Sequence, residues 1–410
     1  MRSELDFLIV NARVVSCTAP SGAARNDLGI IDKGAVGIKA GVIAFVGTHH
    51  EALSLRTKQK LDVKGRVVLP GLIDPHTHAV FEGSRIDEFA RRKSGEDYLS
   101  ISKSGGGIQS TVRATRQASP ELLLKSAKRR LSAMLRHGVT TVEVKSGYGL
   151  DVPSELKLLA VAKKLSGAPQ TLATFLGAHV IPEEYCDEPE VYVDLICETL
   201  IPKIAKEKLA SSCDVYLDDG AYSYEQAERI WQSAVAHGLK AKGHVGQFSD
   251  QRGAELLARF SALSADHLEH VSDDDLAAMG KAGVVAVLLP GAWLTLGQQP
   301  PDVERMRYYG VKLAIGSDCN PGTSPCTDLP LCAAIAVRQC AMSLEEAILA
   351  MTEVASKAVG IATIGKICIG NQADLAIYDS DDPRLLAYAL GDVKARYVFI
   401  NGQLVNTNDG

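Results

Sequence analysis

Eight short apolar runs, separated by stretches of helical periodicity, constrain this chain more than any single motif. From about Arg66 onward the strand-like segments are Pro70–His78, Thr140–Lys145, Thr171–His179, Asp214–Asp218, Lys240–His244, Ala262–His267, Val284–Pro290 and Lys312–Asp318. Between them, helices are predicted over Pro120–Arg136, Ser154–Leu165, Ser223–His237, Asp250–Arg259 and Asp273–Lys281. Strand and helix in alternation imply a parallel sheet. Eight repeats imply an α/β fold of the (β/α)8 TIM-barrel type, in which reactive groups gather at the C-terminal ends of the strands. The strand ends follow that rule. His76 and His78 close the first strand, and Lys145, His179, Asp218, His244, His267 and Asp318 each close another. Five of the ten histidines thus converge on one rim.

The two ends of the chain read differently. Phe7–Val15, Ala35–Lys39 and Val42–Val46 are short strands punctuated by Gly34, Gly41 and Gly47. Near the other terminus, Ala373–Tyr378 alternates apolar and polar residues. Val393–Ile400 then leads into the hairpin dipeptide Asn401-Gly402 and on to Gln403-Leu404-Val405. We expect residues 1–65 and 361–410 to build one small composite β-sandwich domain, and residues 66–360 to form the barrel.

Composition excludes several other functions. With 44 basic and 49 acidic side chains the formal charge is only -5, which supplies no nucleic-acid footprint and no polybasic membrane surface. The longest purely apolar run, Leu331–Val337, is far shorter than the ~20 residues a membrane span needs. The first residues carry two acids, Glu4 and Asp6, unlike a signal peptide. Nine cysteines with no Cys-x-x-Cys pair fit reduced thiols better than a disulfide framework, so a cytoplasmic protein is expected.

His76-Thr77-His78 is the anchor of the chemistry. Residues i and i+2 of a strand face the same side, ~7 Å apart along the chain, so two imidazoles there can share one metal ion. His244 and Asp318 would complete three nitrogens and one carboxylate. That set leaves a coordination position open for water, as catalytic zinc and iron sites do. A metal-held water can ionise near neutral pH and act as a nucleophile. Asp318, touching both metal and water, would accept its proton and return it to the leaving nitrogen. His267 would orient the water or Asp318 from behind.

Pro70-Gly71-Leu72-Ile73-Asp74-Pro75-His76-Thr77-His78, with a histidine on the fifth strand, another on the sixth and an aspartate on the eighth, resembles the amidohydrolase superfamily. The further segments Gly83-Ser84-Arg85, Gly105-Gly106-Gly107-Ile108, Glu143-Val144-Lys145-Ser146-Gly147-Tyr148-Gly149-Leu150, Gly177-Ala178-His179, Ser264-Ala265-Asp266-His267-Leu268 and Ser317-Asp318-Cys319-Asn320-Pro321-Gly322-Thr323-Ser324-Pro325 resemble its imidazolone-opening branch. Together they span roughly residues 66 to 360. The resemblance implies a metal-dependent hydrolase that opens the cyclic amide of 4-imidazolone-5-propanoate to N-formimidoyl-L-glutamate. It assigns His76, His78, His244 and Asp318 to one zinc or iron ion. It gives the substrate's carboxylate tail to Arg85, Tyr98 and Tyr148, and makes His179 the polariser of the ring carbonyl. Gln247 would hold a ring nitrogen, while Asn320, Gly322 and Thr323 would line the pocket. Superfamily barrels with composite β domains commonly form homodimers.

The residue chemistry agrees: a carboxylate tail calls for a bidentate guanidinium, and phenols can add hydrogen bonds. Three positions depart from the family pattern, namely Gly246, Asp218 and Trp293, and all are expected near the substrate rim. The nearest alternative is another amidohydrolase, acting on a different lactam or as an aminohydrolase. The superfamily's deaminases typically place a Glu three residues after the histidine that is His244 here, and that position is Gln247, which cannot act as an acid. A two-metal centre would require Lys145, if carboxylated, to bridge the ions. Lys145 closes the second strand rather than the fourth, so one metal is expected. A catalytically dead scaffold would have broken ligands, whereas here all four are intact.

Overall fold

The computed structural model describes residues 4–18, 26–96, 106–165, 167 and 169–407. Sixteen strands fall into two eight-stranded sheets among the described residues. The N-terminal strands are β1 (Leu5–Val15), β2 (Ile30–Lys39), β3 (Val42–Thr48), β4 (Thr57–Asp62) and β5 (Val67–Pro70). The barrel strands are β6 (Leu72–Asp74), β7 (Val139–Lys145), β8 (Gln170–Ala178), β9 (Ser212–Leu217), β10 (Lys240–Val245), β11 (Ser264–His267), β12 (Val285–Leu288) and β13 (Lys312–Ile315). The chain ends with β14 (Leu375–Tyr378), β15 (Ala395–Ile400) and β16 (Gln403–Thr407).

The terminal sheet runs β16-β15-β14-β5-β1-β2-β3, with β4 branching from β1. It is mixed: β5 is parallel to β1 and antiparallel to β14, which joins the two ends of the chain. Strand β1 carries two register shifts, between Ile9 and Ala12 and between Ala12 and Val14. Its first half pairs with β4 and its second half with β5, so one long bent strand serves two arms of the sheet. Ile9, Val14, Val36, Ile38, Val68, Leu375, Ile377 and Phe399 make an apolar core on one face.

The second sheet has strictly sequential order from β6 to β13, all parallel. Closure is made just beyond the named strands, where Thr77 bridges Cys319. His78 N donates to Cys319 O at 3.1 Å and Asp318 N to His76 O at 3.0 Å. Asp74 Oδ1 accepts from Ser317 N at 3.0 Å. Gly316 permits this seam, because a Cβ there would meet His76 Cβ at 2.8 Å. The pair of histidines and Asp318 therefore sit on the same closing seam.

The helices begin where the sequence supplies a cap. Ser119, Asp151, Ser223 and Ser272 each accept the backbone N–H three residues on, opening helices Pro120–Arg136, Val152–Lys164, Tyr224–Ala236 and Asp273–Ala282. Helix Pro120–Arg136 buries Leu123, Ala127, Leu131 and Met134, one stripe at helical spacing laid on the barrel. The terminal sheet is fastened to the barrel by Tyr378, whose hydroxyl donates to His137 O at 2.8 Å. No helix among the described residues is long and apolar enough to cross a membrane.

Candidate metal centre and substrate site

Strand alternation directs the site. On β7, Glu143 and Lys145 share a face, as do Asp214 and Tyr216 on β9 and Lys242 and His244 on β10. His76, His78 and His244 offer nitrogens that all lie within 4.8 Å of one another, and all three rings are buried. Asp318 Oδ1 lies 3.5 Å from His76 Nε2 and 3.6 Å from His78 Nε2. The Nε2 atoms of His78 and His244 are 3.3 Å apart.

Burial holds His76 and His78 well below the ordinary histidine pKa, so both rings are neutral and present lone pairs. His76 Nε2 is buried without a hydrogen-bond partner. The opposite nitrogens are occupied: His76 Nδ1 meets Asp266 Oδ2 at 2.6 Å and His244 Nδ1 meets Asp214 Oδ1 at 2.9 Å. A carboxylate behind each of these two imidazoles fixes its tautomer and aims the free nitrogen inward, the arrangement of a metal-ligating histidine, whereas His78 Nδ1 is buried with no hydrogen-bond partner. The donor set therefore fits one metal ion.

Two residues of the rim sit in left-handed backbone conformations, His267 at φ 83° and Asp318 at φ 53°. Such conformations cost of order 1–3 kcal/mol each and persist where the surroundings enforce them. Burial pushes the Asp318 carboxyl up to about 7, with His267 pulling the other way. His267 lies with its ring centroid 5.6 Å from that of His244, and Glu269 Oε1 is 3.5 Å from its Nδ1. Burial opposes its protonation, but the Glu269 carboxylate outweighs it and raises the pKa.

His179 stacks on His78 at 5.2 Å with planes 15° apart. Its Nδ1 is 2.9 Å from Gly147 O, and a carbonyl only accepts, so Nδ1 carries the proton. Burial brings its pKa down to about 3, leaving a neutral ring whose Nε2 presents a lone pair. In this state the ring offers an acceptor at Nε2, and the expected role as polariser of a ring carbonyl would require a proton there as well. The neighbouring loop is built around Glu155, whose carboxylate accepts from Gly149 N at 2.8 Å and Leu150 N at 3.0 Å. Tyr148 on that loop packs 5.4 Å from the His179 ring. Burial, then Asp318, raises its phenol pKa while Arg85 opposes, so Tyr148 stands within the field of both.

Arg85 Nε donates to Glu88 Oε2 at 2.9 Å. Its guanidinium lies against the Asp318 loop, since a Cβ at Gly322 would meet Arg85 Nη1 at 2.2 Å. Gly322 thus serves by making room for Arg85. Gln247 Oε1 accepts from the Tyr216 hydroxyl at 2.9 Å, which directs its amide nitrogen away from that contact. Thr323 Oγ1 is 3.4 Å from Asp318 Oδ2. Tyr98 lies outside the described residues.

Four of the named positions are engaged in contacts within the protein. Asn320 is engaged within its own loop, with Nδ2 donating to Asp318 O at 2.7 Å and Oδ1 accepting from Gly322 N and Thr323 N, both at 2.8 Å. It shapes the turn and has no group left for a ligand. Asp218 ties the next loop together, accepting from Gln247 N at 2.7 Å and Phe248 N at 2.9 Å. Trp293 is buried in the main core, its indole donating to Gln339 Oε1 at 2.6 Å. Gly246 adopts φ 68°, and a Cβ there would meet His270 O at 2.3 Å, so this turn excludes any side chain.

What the sequence reading missed is the charged layer beneath the ligands: Glu143, Asp214, Lys242 and Asp266, all buried. Its signal was present, namely charged residues at alternate positions inside otherwise apolar strands.

Comparison with known proteins adds the lineage. The amidohydrolase family profile matches residues 67–405. This chain belongs to the amidohydrolase family. Curated relatives include the imidazolonepropionase of Caulobacter vibrioides, 44% identical over 390 residues, covering 94% of this chain and 96% of that one. The imidazolonepropionase of Brevibacillus brevis is 43% identical, covering 94% and 92%. That of Pseudoalteromonas atlantica is 39% identical over 406 residues, covering 98% and 100%. Among solved structures, a 5-methylcytosine deaminase from Klebsiella pneumoniae superposes with a TM-score of 0.76 at 14% identity, covering 98% of both chains. A zinc-bound adenosine deaminase from Xanthomonas campestris superposes with a TM-score of 0.72 at 21% identity, covering 98% of this chain and 93% of that one. At those identities the structures share the fold alone.

Proposed function

We propose that this protein hydrolyses the cyclic amide of 4-imidazolone-5-propanoate to N-formimidoyl-L-glutamate, as a step of histidine degradation. The observation that carries the reading is the juxtaposition of Arg85 with the Asp318 loop, which puts a carboxylate receptor beside a hydrolytic rim. The names of the 39–44% identical relatives support the same substrate.

His76, His78, His244 and Asp318 would hold a single zinc or iron ion. When bound, that ion supplies Lewis-acid activation of water and of the amide carbonyl. The chain's own residues do the rest. Asp318 takes a proton from the attacking water at its carboxylate and delivers it to the ring nitrogen that leaves, so one C–N bond is exchanged for one C–O bond. His267, held by Glu269, orients Asp318. His179 Nε2 receives a ring N–H, and the Gln247 amide nitrogen donates to a ring nitrogen. Arg85 and Tyr148 bind the propionate, with Thr323 and the Gly322 backbone closing that end.

The test is loss of the imidazolone ultraviolet absorbance on adding metal-replete protein. Turnover with release of N-formimidoyl-L-glutamate supports the assignment. No turnover of this substrate, with turnover of another lactam or an aminated heterocycle, overturns it in favour of a different amidohydrolase activity.

A further inference from the structure

Beside the histidines lies a layer of buried charges. Lys145 Nζ donates to Asp214 Oδ2 at 2.6 Å, and lies 3.0 Å from Glu143 Oε2 and 3.4 Å from Asp266 Oδ2. Glu143 is shared with a second buried cation, Lys242, at 2.8 Å. Lys242 in turn donates to Pro75 O at 3.2 Å, the residue before His76. Two of the three carboxylates around Lys145 are the ones behind His76 and His244. One ammonium therefore stands behind two imidazoles at once, through Asp266 and through Asp214.

We propose that Lys145 is the positioning residue of the metal centre, its ammonium fixing Asp214 and Asp266 so that His76 and His244 converge on one ion. The proposal rests on the metal reading above. A buried carboxylate with no counter-charge turns to another donor, and then it stops holding an imidazole N–H in a fixed direction. Lys145 prevents this for both ligands together. The same contacts leave it no part as a bridging ligand. Carboxylation would need a neutral amine and would put a fourth anion among three carboxylates.

The test compares zinc affinity, by chelator competition, in the wild type and in Lys145→Gln. We expect a loss of about 10–100-fold, the range for removal of a group that supports a metal ligand. Saturation with cobalt(II) adds a readout that a stability defect alone would not move. The visible bands of the saturated variant should shift in position, because the imidazoles approach differently. Lys145→Arg, which keeps the cation and can fork onto two carboxylates, should recover affinity relative to Lys145→Gln.

If Lys145→Gln does not fold, the double variant Lys145→Met with Asp266→Asn removes one buried charge of each sign. It should bind zinc at least about 10-fold more weakly than Asp266→Asn alone, because Asp214 also loses its anchor. Unchanged affinity and unchanged cobalt bands in Lys145→Gln, or equality of the double variant with Asp266→Asn, would overturn the proposal. Failure of the metal reading looks different: the wild type itself would not bind zinc stoichiometrically, and His76→Ala would behave like it.

Discussion

Two interiors of this molecule are equally shielded from water and differ in everything else. The core of the terminal sheet is apolar throughout, with Ile9, Val14, Val68, Ile377 and Phe399 all at 1% exposure or less. The floor of the barrel site holds Glu143, Lys145, Asp214, Lys242 and Asp266 at 2% exposure or less. The first gains its stability from area removed from water, at roughly 25 cal/mol per Å². The second takes charges out of water, and such pairs seldom add net stability over apolar residues of the same shape. The barrel floor is thus maintained for what stands on it, the aim of two imidazoles. The two regions should therefore answer mutation in opposite ways, one through stability and the other through chemistry.

The largest effect is expected at the rim. His76→Ala should leave the protein with under half an equivalent of metal by elemental analysis, and turnover at the uncatalysed background. Retained metal and activity would remove the distinction altogether. Phe399→Ala, which deletes a ring packed edge-on against Phe7 at 5.0 Å, should cost ~3–5 kcal/mol by denaturant unfolding. Its kcat per folded molecule should stay at the wild-type value.

How far these regions were legible in the sequence follows the same divide. Apolar alternation revealed the strands of both sheets, and helix Pro120–Arg136 was read to the residue because Ser119 and Pro120 mark its start. The proposed ligands His76, His78, His244 and Asp318 could be picked out because each falls at or just beyond the end of a barrel strand. Strand β4 was missed, since Thr-Lys-Gln-Lys-Leu-Asp lies exposed and lacks an apolar face. Strand β5 merged with the barrel entry, because Val67 to Asp74 is nearly unbroken apolar sequence and only the fold sends its first half to the terminal sheet. Asp214 and Asp266 were unreadable as imidazole partners, since that role depends on neighbouring strands in register.

A smaller effect should separate binding from chemistry at the rim. Arg85→Ala is expected to raise KM by about 10–100-fold, the equivalent of one charge-assisted contact of ~1.5–3 kcal/mol, with kcat changed far less. An imidazolone lacking the propionate should not register the substitution. An equal effect on both compounds would contradict the carboxylate role.

The smallest expected effect lies where the two regions meet. Asp374 accepts from Asn401 N at 2.7 Å and from Gln170 Nε2, on the barrel, at 3.3 Å. Burial pushes its pKa up to about 6, with the Asn401 and Gln372 hydrogen bonds opposing. The folded value lies above the unfolded one of ~3.9, so the unfolded chain ionises first. This group's contribution to stability is complete below about pH 4 and is lost as pH rises through about 6. Asp374→Asn should remove that slope from melting temperatures measured between those limits. An unchanged slope would place the effect elsewhere.

In the proposed centre one metal ion sits above a buried ammonium that is not its ligand. Anomalous diffraction from crystals of the metal-loaded protein tests it most directly. A single peak bounded by His76, His78, His244 and Asp318 is expected, with Lys145 still on Asp214 and Asp266. Two peaks flanking a carboxylated Lys145 would contradict it.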